Sequence, residues 1–540
     1  MPHHNSAERG RRATSPFDDA ALPRRPPPRP VYFHTPEDTP FIPPNGPLMQ
    51  DKRPHARTGQ TAMKPTTGRI GYLTAATLVA ALAVPAATAQ DIPAPVTPVA
   101  QPAPVALPTL TPAQTTQLAE LLAKDAVAQG LRHAATSIET TDPDALVRAA
   151  LDHARAVHAG RLDGGDFQRS WGIKPQPFDP LPGFAEAVRR DRIAAWFASL
   201  PPPYAGYDAL AAGLARYRAI EAKGGWPTLA TAPAYGSSGP AVATLRRRLA
   251  AEDPQVPATG DRFDAPLLDA VRRAQRRYGL NPAGQLGAQT LAALNVPVEA
   301  RIRQIAANME RWRWLPAKLE QRRVQVNIAA AVLTVFEGDA PVMSMKAVTG
   351  RPANETPMLV SSIHSVVLNP PWNVPTSIAQ GELWPKERAS PGYLKRNGFR
   401  VMEGGRLQQS SERSALGKYK FDFANDFAVY LHDTPAQATF SRFDRLASHG
   451  CVRLEKPAEL AKLLMKTTPE WQPEAIDATV ANGKTVRAKL ADPVAVYLLY
   501  WTAFAGANGQ VGFRDDPYGW DRTLAAKIET RSASRMLAAK

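Results

Sequence analysis

Cys451 is the only cysteine in 540 residues, and it stands in "RLASHGCVRL", 19 residues after the histidine of "YLHDTP", His432. A thiol with an ordinary pKa of about 8.5 is only a few per cent thiolate at neutral pH, so a nucleophilic cysteine needs a base within hydrogen-bond reach. A separation of 19 residues suffices for a strand, a loop and a return to the same end of a small sheet. His432 is therefore the candidate general base and acid. Tyr430 shares its face of the predicted strand "FAVYLHDTP", with Val429 and Leu431 on the other. Gly450, without a side chain, allows a substrate carbonyl close to the backbone, and the amides around Gly450 and Cys451 could act as an oxyanion hole. Arg453 could hold a carboxylate by a bidentate pair, and Ser448 and His449 frame the pocket.

Other uses of the same residues fit less well. Zinc held by His432, His449 and Cys451 would need a fourth ligand or a water, and the single cysteine has no C-x-x-C partner. We therefore expect no metal and no cofactor. A redox-sensing thiol would want a resolving cysteine, which the chain lacks.

The elements that must position these residues change period along the chain. From residue 322, "RRVQVNIAAAVLTVFEGDAPVMSMKAVTGR" alternates apolar residues around a Glu337-Gly338-Asp339 turn, which predicts a β-hairpin. "SSIHSVVLNPPWNVP" reads as a further strand stopped by prolines, and Trp372 within it as either core or a donor-site wall. "EKPAELAKLLMK" starts a helix at Pro457 with Leu460, Leu463 and Leu464 inward. Upstream, residues 110–225 carry helical periodicity, as in "TPAQTTQLAELLAKDAV", where a Thr cap precedes Pro. Residues 233–296 carry three shorter helical patterns built on Val242, Leu245, Leu249, Leu267, Val271, Leu291 and Leu294. His153 and His158 sit among the helices and are given no role.

The N-terminus is compositionally different. Residues 1–62 are rich in Pro, Arg and polar residues and are expected to be disordered, or to be a mis-assigned extension with Met63 as the true start. Residues 63–89 run from Lys64 and Arg69 through an apolar stretch to Ala87-Thr88-Ala89, the order of a secretory signal peptide; the competing reading is an uncleaved anchor. Residues 90–108 form a Pro-rich linker. Export predicts a periplasmic location, with membrane contact only through an uncleaved signal. The formal charge of +16 and pI near 9.9 favour an anionic partner. No nucleic-acid-binding signature accompanies the charge, so no nucleic acid is expected.

"YLHDTPAQATFSRFDRLASHGCVRL" resembles the signature of the L,D-transpeptidase family, a His followed by S/T-H-G-C-x-R/N. The likeness extends through "NMERWRWLP", "VTGRPANETP", "NPPWNVP" and "DPVAVYLLYWTAFAGANGQVGFRDDPYGWD" to the large periplasmic members. Residues 233–296 resemble a peptidoglycan-binding domain. The resemblance implies a multi-domain α+β protein: a helical scaffold over 109–232, a small three-helix wall-binding module over 233–296, and a mostly β catalytic domain over 322–470. A lid insertion spans 376–424, and 471–540 returns to the scaffold. It implies Cys451 as nucleophile, His432 as base and acid, and Ser448, His449, Gly450 and Arg453 in support. A backbone carbonyl usually orients the histidine in this family, with the side chain of Asp433 as a substitute here. The implied reaction takes a tetrapeptide stem, releases D-Ala, forms a thioester and transfers it to a neighbouring stem as a 3-3 cross-link. Implied partners are peptidoglycan stem peptides and glycan, with other cell-wall synthesis enzymes as candidates. The alternatives are a catalytically silent peptidoglycan-binding scaffold, or an L,D-carboxypeptidase or amidase using water as acceptor.

Overall fold

Thr111 and Gln114 exchange side-chain and main-chain hydrogen bonds in a capping box that starts α1 (Pro112–Ala128), and Asp142 caps α2 (Pro143–His158). With α3 (Leu181–Arg189) and α4 (Ile193–Ser199), these helices enclose a core of their own built on Leu118, Leu122, Leu151, Phe184 and Phe197. The fold is that of a computed structural model, which describes residues 106–131, 142–505 and 510–538. The N-terminal extension, the signal-like segment and most of the Pro-rich linker lie outside the described residues. No described helix is long and apolar enough to cross a membrane.

The next helix, α5 (Ala205–Glu221), leads to α6 (Pro240–Ala250), α7 (Ala265–Arg277) and α8 (Ala288–Leu294), the three short helices expected from the apolar spacing. The module they form is tied to α5 by a buried carboxylate. Glu252 accepts from Tyr217 of α5 at 2.5 Å and from Arg248 at 2.7 Å. Burial alone would raise its pKa, but Arg248 and Arg277 outweigh burial and hold it at about 2.

"NMERWRWLP" ends α9 (Val298–Trp312), where Glu310 is fully buried between Arg161 at 3.1 Å and Arg313 at 2.9 Å. Arg313 also donates to the Gln129 carbonyl at 2.6 Å and the Tyr207 hydroxyl at 2.9 Å, so one ion pair joins α9 to α5 and to the end of α1. Stranding such a buried charge costs about 3–5 kcal/mol. The motif is thus scaffold.

The main sheet is built from β1 (Arg322–Asn327), β2 (Val332–Glu337), β3 (Ala340–Gly350) and β4 (Leu359–Leu368), followed after an inserted segment by further strands. Gly338 supplies the positive φ of the expected turn between β2 and β3. The segment between β4 and the next strand of the main sheet, which contains the expected lid 376–424, has its own three-stranded sheet of β5 (Trp372–Asn373), β6 (Phe399–Val401) and β7 (Leu407–Gln409), with β7 central. Short helices α10 (Thr376–Ile378), α11 (Trp384–Ala389) and α12 (Tyr393–Arg396) accompany it, with a π-helical turn, Ala379–Leu383, between the first two. Its core of Val374, Leu383, Leu394, Phe399 and Leu407 is separate from the main core.

The main sheet continues with β8 (Tyr419–Phe423), β9 (Leu431–His432), β10 (Leu446–Ser448), β11 (Val452–Leu454) and β12 (Val486–Leu499). Its order is β10-β3-β11-β9-β8-β4-β12-β1-β2, and β3 pairs β2 as well, which closes the ladder on itself. Helices α13 (Pro457–Met465) and α14 (Pro473–Asn482) separate β11 from β12. Leu460 and Leu464 of α13 are buried as expected, while Leu463 is only partly so.

Two expectations need correction. The strand around His432 is only two residues long, because Ala428 takes φ +54° and the Asn425 side chain bonds the main chain of Phe427 and Val429, turning 425–429 into a loop. The main sheet also reaches past residue 470, the expected end of the catalytic domain, since β12 pairs β4 on one side and β1 on the other. Its run "VAVYLL" is buried throughout, as an interior strand requires. Only then does the chain return, through β13 (Ala503–Ala505), β14 (Val511–Phe513) and α15 (Trp520–Ala538), to α9, where Arg311 meets Asp521 at 2.6 Å.

Candidate active site

β9 and β11 pair in parallel, with Leu431 opposite Val452 and His432 opposite Arg453. Leu431 and Val452 are fully buried on one side. Alternation then sets Tyr430, His432, Cys451 and Arg453 together on the other side. Lys420 of β8 is the cross-strand partner of His432 and adds a second cation, its Nζ 4.5 Å from the centre of the Tyr430 ring. Lys420 had no sequence signal of its own, since it is an ordinary polar position in an alternating strand.

His432 Nδ1 donates to the main-chain oxygen of Asp433 at 2.5 Å. A carbonyl only accepts, so Nδ1 carries the proton and Nε2 is the basic nitrogen. The orienting group is therefore the backbone of Asp433. Its carboxylate is occupied elsewhere, accepting from the amides of Lys418 at 2.7 Å and Thr434 at 2.6 Å. Burial pushes the His432 pKa down to about 3, with Arg453 adding to the effect and the carbonyls of Asp433 and Leu416 opposing it. The ring is neutral at pH 7.

Cys451 is a partly buried free thiol. Burial raises its pKa, while the main chain and hydroxyl of Tyr430 pull it down. The group acting directly on the sulfur is thus Tyr430, whose ring centre lies 5.6 Å from that of His432. Burial keeps the Tyr430 hydroxyl protonated, with the Trp372 indole acting in the opposite direction. Thiol and imidazole are both neutral and sit as diagonal neighbours on one face, without a direct hydrogen bond; such contacts often tighten only with substrate bound.

The supporting residues divide by direction. Ser448 is buried and internal to the turn: its hydroxyl donates to the Cys451 carbonyl at 2.6 Å and accepts from the Gly450 amide at 3.1 Å. That engages one of the two amides expected at an oxyanion hole. The Cys451 amide has no acceptor among the described residues and remains the available donor. Gly450 has φ +112°, which favours glycine, and a Cβ there would be tight against the Glu355 carbonyl at 3.3 Å. His449 turns to the lid, with Nε2 2.5 Å from Glu382 Oε1, so it does not converge with His432 and Cys451 as a metal site would need. Arg453 makes no ion pair among the described residues, and its buried Nε has no hydrogen-bond partner.

Sequence reasoning missed the brace behind this turn. Thr356, in "VTGRPANETP", donates to the Gly450 carbonyl at 2.8 Å and accepts from the Gly350 amide at 2.9 Å. Tyr518, in "DDPYGWD", donates to the Gly350 carbonyl at 2.6 Å and accepts from the Thr356 amide at 3.2 Å. These two motifs hold the signature loop in place. A second surface lies alongside: an open cleft of about 440 Å³ lined in part by Lys420, Asp422, Tyr430 and Arg487.

Residues 321–476 match the YkuD family, "L,D-transpeptidase catalytic domain". Residues 238–294 match PG_binding_1, "Putative peptidoglycan binding domain", and residues 107–214 match a "Scaffold domain". A Haemophilus influenzae protein named "Putative L,D-transpeptidase" is 31% identical over 247 residues, which cover 42% of this chain and 50% of that protein. The chain thus spans about half the length of that relative. Among solved structures, an L,D-transpeptidase from Stackebrandtia nassauensis is 15% identical, with a TM-score of 0.22, covering 51% of this chain and 96% of that one. The catalytic domain of an E. faecium L,D-transpeptidase acylated by ertapenem is 11% identical, with a TM-score of 0.19, covering 34% of this chain and 99% of that one.

Proposed function

We propose that the protein is a cysteine-dependent L,D-transpeptidase of peptidoglycan and that Cys451 is its nucleophile, a reading supported by the match of residues 321–476 to the L,D-transpeptidase catalytic domain. One observation carries this reading: Cys451, His432, Tyr430 and the unpaired Arg453 share one face of a sheet whose loop is braced around Gly450.

In this reading Sγ attacks the carbonyl that joins the third residue of a tetrapeptide stem to its terminal D-Ala. The thiol proton passes to His432 Nε2, and the tetrahedral oxyanion is met by the Cys451 amide. The imidazolium returns that proton to the departing amine as the C–N bond breaks, leaving a thioester and free D-Ala. The amine of a neighbouring stem attacks the thioester, loses a proton to His432 and releases the thiol, giving a 3-3 cross-link. A neutral thiol and a neutral imidazole suit this sequence, because no ion pair has to be desolvated before substrate arrives. Arg453 serves as a carboxylate clamp, and the lid keeps water from the thioester. The basic surface and the wall-binding-like module favour the anionic polymer as substrate, and the signal-like sequence 63–89 supports a periplasmic location.

Intact-mass analysis with a carbapenem tests the nucleophile. A single covalent adduct is expected on the native protein and none on Cys451→Ala; an adduct that survives the substitution overturns the assignment. Muropeptide analysis of tetrapeptide-rich wall after incubation then distinguishes cross-linked dimers from the tripeptides that a water acceptor would leave.

A further inference from the structure

Three polar groups meet at the mouth of the site from three separate parts of the chain. His449 lies in the signature loop, Arg351 in the "VTGRPANETP" loop after β3, and Glu382 in the π-helical turn of the lid. Glu382 Oε1 is 2.5 Å from His449 Nε2 and 3.9 Å from Arg351 Nη2. None is buried: the side chains of His449, Glu382 and Arg351 are 30%, 37% and 48% exposed.

The two donors stand on a fixed frame. The Arg351 amide donates to the Ser448 carbonyl at 3.0 Å, and Arg351 Nε donates to Asn354 Oδ1 at 2.7 Å, which aims the guanidinium. The signature loop is further held by Thr356 through Gly450. The acceptor, by contrast, belongs to a subdomain with its own core and sheet. The hydrogen bond from His449 lowers the Glu382 pKa against the effect of burial, and Lys386 of the lid contributes in the same direction. Ion pairs this exposed are weak, so another carboxylate of equal charge can displace this one.

We propose that His449 and Arg351 form a carboxylate-binding subsite for the stem peptide, which the lid's own Glu382 occupies in the free protein. This rests on the transpeptidase reading for the identity of the peptide, though not for the site itself. When a stem enters, its carboxylate takes the place of Glu382, and the lid's hold on the signature loop passes to the substrate. His449 is two residues from Cys451 in the chain, so the subsite belongs to the same signature turn as the thiol. The ligand class is a peptide carboxylate, which a donor stem offers at its terminal D-Ala and an acceptor stem offers as well.

The test compares peptides whose terminal carboxylate is free or amidated. Glu382→Gln is expected to lower KM for the free-acid tetrapeptide by about three- to fivefold with kcat unchanged, and Arg351→Ala to raise it by a similar factor, with Arg351→Lys partly restoring it. Neither substitution should move KM for the amidated peptide. Amidating the donor and the acceptor in turn shows which stem uses the subsite. A readout free of turnover is calorimetric binding of the same peptides to Cys451→Ala protein, with and without Glu382→Gln, which stays informative even if Cys451 is not the nucleophile. Equal effects on free and amidated peptides, or equal binding of both to the Cys451→Ala protein, would overturn the subsite.

Discussion

His432 and Arg453 are cross-strand partners in the parallel β9–β11 ladder, which sets an imidazole beside a guanidinium that has no carboxylate partner among the described residues. Burial and this neighbour together hold the imidazole neutral. Replacing Arg453 with Met should raise the His432 pKa from about 3, and it should weaken binding of a carboxylate-bearing stem. Arg453→Lys should keep the depressed pKa but lose the bidentate grip. NMR titration of the His432 ring and KM for a tetrapeptide read the two effects separately. An unmoved titration in Arg453→Met would show that burial alone sets the value.

The buried imidazole also makes stability depend on pH. Its folded pKa of about 3 lies below the unfolded value of about 6.5. Between those values the unfolded chain binds the extra proton. The contribution is therefore fully present above about pH 6.5 and is lost as pH falls toward 3, with a limiting slope of about 1.4 kcal/mol per pH unit. Urea denaturation of the native protein and of His432→Gln from pH 7 to pH 4 should show the native protein losing stability more steeply. Parallel curves would mean that the ring finds a way to protonate inside the fold.

Thr356 touches neither the sulfur nor the imidazole, yet it spans Gly350 and Gly450. Thr356→Val removes both hydrogen bonds from a fully buried site and should cost about 1–3 kcal/mol of stability. It should also slow carbapenem acylation of Cys451 at saturating drug, by tenfold or so if the turn shifts by a few tenths of an ångström. Thr356→Ser keeps both bonds and should restore the rate. Stopped-flow acylation with a melting curve on each variant separates a displaced loop from an unfolded protein.

The chemistry-bearing residues were legible because their types are unusual for their setting. A lone thiol beside Gly450, and a histidine alternating with Tyr430, need no tertiary information to be noticed. Most of the helical and strand patterns around them follow from apolar period in the same way. What orients His432 was not legible, since every residue carries a carbonyl and the sequence marks none; attention fell on the carboxylate of Asp433 when its backbone oxygen is the partner. The Glu382–His449 contact joins residues 67 apart in the chain, and Glu382 is one acidic residue among 49 Asp and Glu. Thr356 and Tyr518 were inside quoted motifs, but their pairing depends on how β3 and the C-terminal segment meet. The place of β12 was missed because a strand's apolar run says that it is interior, and not between which neighbours.

That interior strand bears on how the protein comes to fold. Residues 486–499 are made after the cysteine, the histidine and the whole signature, yet they lie between β4 and β1. A nascent chain that has exposed its thiol still lacks the seam of its own sheet. Reactivity must wait for the last tenth of the polypeptide, so a product cut short just beyond the signature would carry every reactive group and no competent fold to hold them.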